Sequence, residues 1–261
     1  MRQYILKAIC LITPIRAWRK KMRTKAREIG EENFHNKMLN KYWGKDVRIL
    51  SGPFKGMRYI TQSNGSVFFP KLIGCYEENL HPWLNEIKKQ KYEVILDIGC
   101  AEGYYAAGFA YNNYAQTVYA YDIDDIARKN AIELIAINGL SDRVFVRGLC
   151  TYEEIEKTTK DKKALVFCDI EGAEDLLLNP ETIPALKNID FIIETHDSLS
   201  KGVTDRLIER FQLTHRIQIE SEHDINYNAY PIFDSMSVKL RKQLSSEKRI
   251  LGMVWLKLTV R

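Results

Sequence analysis

The chain has 261 residues, 45% hydrophobic and 28% charged. That is ordinary globular usage, which excludes a disordered or collagen-like chain and suits one large α/β domain plus trimmings. The net charge of +5 is unevenly held: residues 1–30 carry nine basic side chains and one acid, so the body beyond them is mildly acidic and no global nucleic-acid binder.

Five scattered cysteines with no Cys-x-x-Cys pair argue against a disulfide framework or a zinc-thiolate site, and point to a reducing, cytoplasmic setting. No apolar run approaches the ~20 residues of a membrane-spanning helix. Residues 1–44 read as a basic amphipathic extension, with an apolar stretch from Ile5 to Ile15 followed by a basic cluster around Trp18. A secretory signal would put its charge first. Residues 1–24 suit an anionic surface at the inner face of a membrane, and a helix docked on the body or on a second copy is the equal alternative. Residues 45–90 read as a lead-in covering the pocket. Val47 to Leu50 alternates, Ser51-Gly52-Pro53 is turn chemistry and Met57 to Ile60 returns, which predicts a small hairpin. Pro70 to Glu78 then leads into a predicted helix through Trp83 and Ile87.

Over residues 91–261 strands and helices alternate, the pattern of a mostly parallel, seven-stranded sheet with helices on both faces. Strands are predicted at 93–98, 117–122, 143–147, 164–169, 190–195, 215–219 and 253–260. Helices are predicted near 103–111, 125–138, 173–178 and 203–212. Residues 221–250 read as a loop plus a helix inserted before the last strand.

The most informative stretch is Val94-Ile95-Leu96-Asp97-Ile98-Gly99-Cys100-Ala101-Glu102-Gly103-Tyr104-Tyr105, a buried strand, a turn with two glycines and a helix. Glycine lets the backbone approach a ligand closely, and open α/β sheets bind nucleotides at the carboxyl ends of their strands. The spacing Asp-x-Gly-x-x-x-Gly is not the Gly-x-Gly-x-x-Gly of dinucleotide enzymes. Asp97 at the strand end would repel a phosphate and suits an ammonium group. Asp122 ends the next strand, placed to accept hydrogen bonds from both ribose hydroxyls. A nucleoside with a cationic amino-acid tail and no phosphate is S-adenosylmethionine. Asp97, Gly99, Ala101, Gly103, Tyr104, Asp122 and Ile123 are the candidate cofactor-binding residues.

These features resemble a class I, Rossmann-like methyltransferase, and more narrowly the FkbM-type methyltransferases. The narrower resemblance rests on Leu96 to Tyr105, on Asn138-Gly139-Leu140-Ser141-Asp142-Arg143-Val144, on Phe167-Cys168-Asp169-Ile170-Glu171-Gly172-Ala173-Glu174 and on Ile192-Ile193-Glu194-Thr195-His196. It covers roughly residues 76–220 and implies O-methylation of sugars, lipopolysaccharide or small natural products. The third strand ends Arg147-Gly148-Leu149-Cys150, without the acid or amide that often meets adenine, so that contact is unassigned.

The acceptor must meet the transferred methyl at the carboxyl ends of strands four and five. A hydroxyl acceptor loses its proton during attack, and a positioned His or carboxylate is the usual recipient. His196 is the first candidate base and Asp169 the second. Tyr76, Glu77, Glu171 and Glu194 are candidate substrate contacts, while Glu174 fits a helix start. Magnesium is compatible with the converging carboxylates, but no spacing assigns it ligands. No Asn/Asp-Pro-Pro-Tyr motif follows the fourth strand and no proline precedes a cysteine, which disfavours methylation of nucleic-acid bases. The expectation is an S-adenosylmethionine-dependent O-methyltransferase of a glycan, glycolipid precursor or related small molecule. Its rivals are an RNA or protein methyltransferase that holds an acidic partner with the basic segment, and a non-catalytic binding module.

Overall fold

The computed structural model describes residue 21 and residues 30–61, 63, 67–221, 223–247 and 253–261. The chain divides into two compact units, residues 1–47 and 48–261. Apart from Lys21, the segment 1–24 to which the sequence assigns membrane or docking contact lies outside the described residues. In the first unit residues 30–42 are helical (α1), and the amides of Trp43 and Gly44 close that helix by donating to the Leu39 carbonyl.

The second unit opens with the segment expected to form a hairpin. Only one antiparallel bridge forms there, between Arg48 and Arg58. Phe54 at its turn instead enters the body, meeting the rings of Tyr104, Tyr105, Phe109 and Tyr114 at 5.1–6.1 Å between centroids. Burying a whole aromatic ring is worth more than one or two further ladder bonds at a surface hairpin. Gly108 admits the ring, since a Cβ there would stand 2.6 Å from it. Residues 48–90 therefore belong to the same compact unit as the sheet. They carry a short helix that the sequence pattern does not announce, α2 (Phe69–Ile73), and the expected helix through Trp83 and Ile87, α3 (His81–Gln90).

All seven predicted strands form: β1 (Tyr92–Ile98), β2 (Ala115–Tyr121), β3 (Val144–Arg147), β4 (Ala164–Cys168), β5 (Asp190–His196), β6 (His215–Ser221) and β7 (Met253–Val260). They lie in one sheet in the order β3-β2-β1-β4-β5-β7-β6. The first five are parallel, and β7 runs antiparallel between β5 and β6. The near-continuous apolar runs of β1 and β4 suit strands covered on both faces. The predicted helices appear as α4 (Tyr104–Tyr111), α5 (Asp125–Ile137), α7 (Glu174–Leu177), α8 (Val203–Phe211) and, in the segment before the last strand, α9 (Val238–Ser245). One further helix, α6 (Tyr152–Thr159), went unpredicted because Ile155 is its one apolar residue of the aliphatic kind. Its start is nevertheless marked by Thr151, whose hydroxyl accepts from the Glu154 amide. The result is the Rossmann-like α/β fold that the alternation implies.

Register decides what meets at the carboxyl edge. Ile98 stands level with both Tyr121 and Cys168, so Gly99, Asp122 and Asp169 emerge side by side. Cys168 pairs with Ile193, so β5 runs three residues further and carries Glu194 and His196 past the end of β4 on one face.

Candidate active site

At this edge a cavity of about 460 Å³ opens over the turn after β1. The turn is built by backbone bonds. The amides of Gly99 and Cys100 both donate to the Tyr121 carbonyl at 2.9 Å, and the Gly103 amide donates to the Cys100 carbonyl at 2.7 Å. Gly99 has φ +85°, and a Cβ there would stand 1.7 Å from the Asp169 carbonyl oxygen, so no other residue fits. Asp122 tightens the same turn: its carboxylate accepts from the Ala101 amide and from the Asp124 amide, each at 2.8 Å.

Asp97 is buried, and burial, reinforced by the nearby Asp122 and Glu77 charges, raises its carboxyl pKa to about 8 against the opposing pull of the Ala106 amide and Lys71. Its Oδ2 has no hydrogen-bond partner. An orphaned carboxylate oxygen on a cavity wall is where an ammonium group would be held. Lys71, which the sequence reading did not single out, lines the same cavity from α2. Its Nζ donates to Glu102 at 2.5 Å and lies 5.0 Å from the Tyr76 ring centroid and 5.5 Å from that of Tyr104. Burial works against ionisation of Glu102, but Lys71 and the hydroxyls of Ser63 and Tyr59 hold its pKa below the usual value. The cavity wall therefore carries an acid, Asp97, that a cationic ligand would ionise, and an amine, Lys71, paired with Glu102, within electrostatic reach of each other. At its rim Ile123 and Leu149 are 78% and 69% exposed, two large apolar side chains flanking the opening. Leu149 and Gly148 answer for the third-strand end where the sequence supplied no polar contact.

Of the predicted site residues, Asp97, Gly99, Ala101, Tyr104, Asp122, Ile123, Tyr76, Asp169 and Glu171 line the cavity. Gly103 starts α4 behind the turn at φ +84°. Glu77 is buried in the wall and accepts a hydrogen bond from Tyr105. Glu194 and His196 are buried too and do not line the cavity. His196 sits behind Asp169 and Glu171. Its Nδ1 is 2.8 Å from Oε1 of the buried Glu174, and its Nε2 is 3.6 Å from an oxygen of each of the two carboxylates. Burial disfavours the charged imidazole, but the bond to Glu174 and the charges of Glu194 and Glu171 outweigh it and raise the pKa above the ordinary value. Glu174, read from the sequence as a helix start, is that and also the fixing partner of His196.

A second cavity, of about 430 Å³, is lined by Glu78, Asn79, His223, Tyr227, Lys242 and Ser245 among others. It lies beside the end of β6, where the Asn79 side-chain Nδ2 donates to the Ser221 carbonyl. Because β6 is parallel to β5, both cavities lie along the carboxyl edge of the sheet.

Residues 80–193 match the family described as ribosomal protein L11 methyltransferase. No curated protein matches the chain. Among solved structures, an rRNA methylase from Streptococcus thermophilus is similar at 11% identity and a TM-score of 0.45, over 70% of this chain and 97% of that one. A tRNA methyltransferase from B. subtilis is similar at 14% identity and a TM-score of 0.41, over 68% and 64%. A tRNA methyltransferase from M. capricolum with bound S-adenosylhomocysteine is similar at 17% identity and a TM-score of 0.38, over 68% and 66%. Likenesses this distant say nothing of substrate. Among the described residues no helix is long and apolar enough to cross a membrane.

Proposed function

We propose that the chain is a class I S-adenosylmethionine-dependent methyltransferase, a reading supported by its sheet order and its match over residues 80–193, and that it methylates a hydroxyl of a glycan or glycolipid precursor, in the manner of the FkbM-type enzymes. The cavity's residues fit the cofactor. Asp97 Oδ2 takes the ammonium, Lys71 the carboxylate, Asp122 the ribose hydroxyls, and Ile123 and Leu149 the two faces of the adenine. When bound, S-adenosylmethionine supplies an electrophilic methyl group on a sulfonium.

The observation that carries O-methylation is the acid-rich wall at the ends of β4 and β5. Asp169 and Glu171 face the cavity as hydrogen-bond acceptors, with His196 directly behind them. Such a wall suits a hydroxyl that must give up its proton, and it repels a polyanionic nucleic acid. The second cavity, rich in side chains that both donate and accept hydrogen bonds, supports a polyhydroxyl acceptor. Residues 1–24 then serve to hold the enzyme near lipid-linked substrates at an anionic membrane surface.

The test is radiolabelled methyl transfer from S-adenosylmethionine into separated lipid, glycan, RNA and protein fractions. Label is expected in glycan or glycolipid, in an ether linkage stable to mild base. Label confined to RNA or protein overturns the reading.

A further inference from the structure

We propose that Asp169, Glu171 and His196 form a binding site for one divalent transition-metal cation, open to the cavity over the glycine turn. The use of that cation in methyl transfer rests on the O-methyltransferase reading; its binding does not.

One ligand atom from each residue, His196 Nε2 and a carboxylate oxygen of Asp169 and of Glu171, lies within 4.8 Å of the others. Nε2 stands 3.6 Å from each of the two oxygens. That is too long for a hydrogen bond. It is close to the spacing of donor atoms sharing one cation, since bonds of about 2.1 Å put neighbouring ligands roughly 3.0–3.4 Å apart in octahedral or tetrahedral arrangements. Glu171 is 72% exposed and has the freedom to close the remaining gap.

The second observation is independent of the acidic cluster. His196 is 1% exposed, yet Nε2 has no hydrogen-bond partner, and neither does the buried Oδ1 of Asp169. Two facing polar atoms left unpaired in a protein interior call for a ligand between them. The other side of the imidazole is already specified. Glu174 Oε1, itself held by the Gly172 amide at 2.9 Å, accepts from Nδ1 at 2.8 Å. That bond leaves the lone pair of a neutral ring on Nε2, aimed at the two carboxylates. Carboxylate, then histidine, then cation is the arrangement by which outer groups orient metal-binding imidazoles. An imidazolium balanced by surrounding acids is the competing arrangement, but its second N–H would draw one carboxylate to hydrogen-bond distance, and Asp169, Glu171 and Glu194 all stand off, at 3.6, 3.6 and 3.9 Å.

The donor set also narrows the ion. Magnesium and calcium prefer oxygen alone, whereas one imidazole nitrogen with two carboxylates suits manganese, ferrous iron or zinc. Two carboxylates neutralise the charge of a divalent ion, and the cavity side leaves positions for an acceptor. A cation there would supply Lewis acidity to a hydroxyl presented in the cavity.

The full chain, stripped with a chelator and dialysed, is titrated with Mn²⁺ while free ion is followed by its six-line paramagnetic resonance signal, with Zn²⁺ and Mg²⁺ compared by calorimetry. One Mn²⁺ or Zn²⁺ per chain is expected, at least tenfold tighter than Mg²⁺. His196→Gln and Asp169→Asn should each weaken it more than tenfold, and the exposed Glu171→Gln, which cannot threaten folding, severalfold. Unchanged affinity of the variants for S-adenosylhomocysteine would show that the fold survives. Absence of stoichiometric Mn²⁺ and Zn²⁺ binding, or binding indifferent to all three substitutions, overturns the site. No acceptor enters this titration, so a metal site in an enzyme that labels RNA would sink only the substrate reading, and glycan methylation by a metal-free chain would sink only the metal.

Discussion

The two halves of the carboxyl edge are finished in opposite ways. Beside β1 and β2 the backbone does the building: Gly99, Cys100, Ala101 and Asp124 spend their amides on Tyr121 and Asp122, and the turn is complete without a ligand. Beside β4 and β5 the site is made of side chains drawn from two segments, 169–174 and 194–196, and Asp169 Oδ1 and His196 Nε2 are left unpaired. The first half is closed by its own backbone and leaves Asp97 Oδ2 for the cofactor, while the second leaves two facing atoms unpaired until something arrives. Groups with unmet hydrogen-bonding capacity are where specificity is decided.

The harshest way to break the prebuilt half is Gly99→Val. Its side chain has no room against the Asp169 carbonyl, so calorimetry should find no S-adenosylhomocysteine binding, with circular dichroism checking the fold. Retained affinity would mean the turn does not carry the cofactor. On the other half, His196→Gln should lower turnover on the order of 10²-fold, through the carboxylates in front of it that face the acceptor hydroxyl. Cofactor affinity should stay within about twofold, because His196 does not line the cavity. A parallel loss of cofactor affinity would erase the division between the halves.

Within the cofactor half, two substitutions sharpen the assignment of each end. Asp122→Ala should weaken both S-adenosylhomocysteine and 5′-methylthioadenosine more than tenfold, since hydrogen bonds to a charged group are worth about 1.5–3 kcal/mol each and the Ala101 amide also loses its partner. Lys71→Met should weaken only the first, because methylthioadenosine has no carboxylate. Equal effects of Lys71→Met on both ligands would remove Lys71 from the amino-acid end.

Asp97 adds a dependence on pH. With its carboxyl raised to about 8 by burial, the cofactor-free protein holds it protonated at neutral pH. A folded-state pKa above the unfolded one contributes stability at acid pH that is lost as pH rises through about 8. Binding an ammonium needs the ionised form, so S-adenosylhomocysteine affinity should climb between pH 6 and 8, by up to about tenfold per unit. Asp97→Asn should bind weakly and flatten the slope; an unchanged slope would place the titrating group elsewhere. Smallest of all, removal of residues 1–24 should leave both halves and the cofactor affinity intact while reducing flotation with anionic liposomes, each basic side chain near such a surface contributing about 1 kcal/mol. Equal flotation of both proteins excludes the membrane role.

What could be read from the sequence follows this same division. The run from Val94 to Tyr105 specifies strand, turn and helix through bonds between near neighbours, and Asp122 was placed by the length of one strand–helix unit. All seven strands were legible because buried strands are apolar runs between breakers, and the Asn138-Gly139 stop closed α5 as expected. Tertiary structure alone decided the rest. It set β7 between β5 and β6, and it turned a predicted hairpin into a loop anchored by Phe54 in the space above Gly108. Lys71 came to the cavity from a helix with no motif. The three-residue lead of β5 over its pairing with β4, a matter of register, put His196 behind the carboxylates instead of in the cavity. Local hydrogen bonding and apolar periodicity are written in consecutive residues; contacts between residues a hundred positions apart are set by packing that no short window contains.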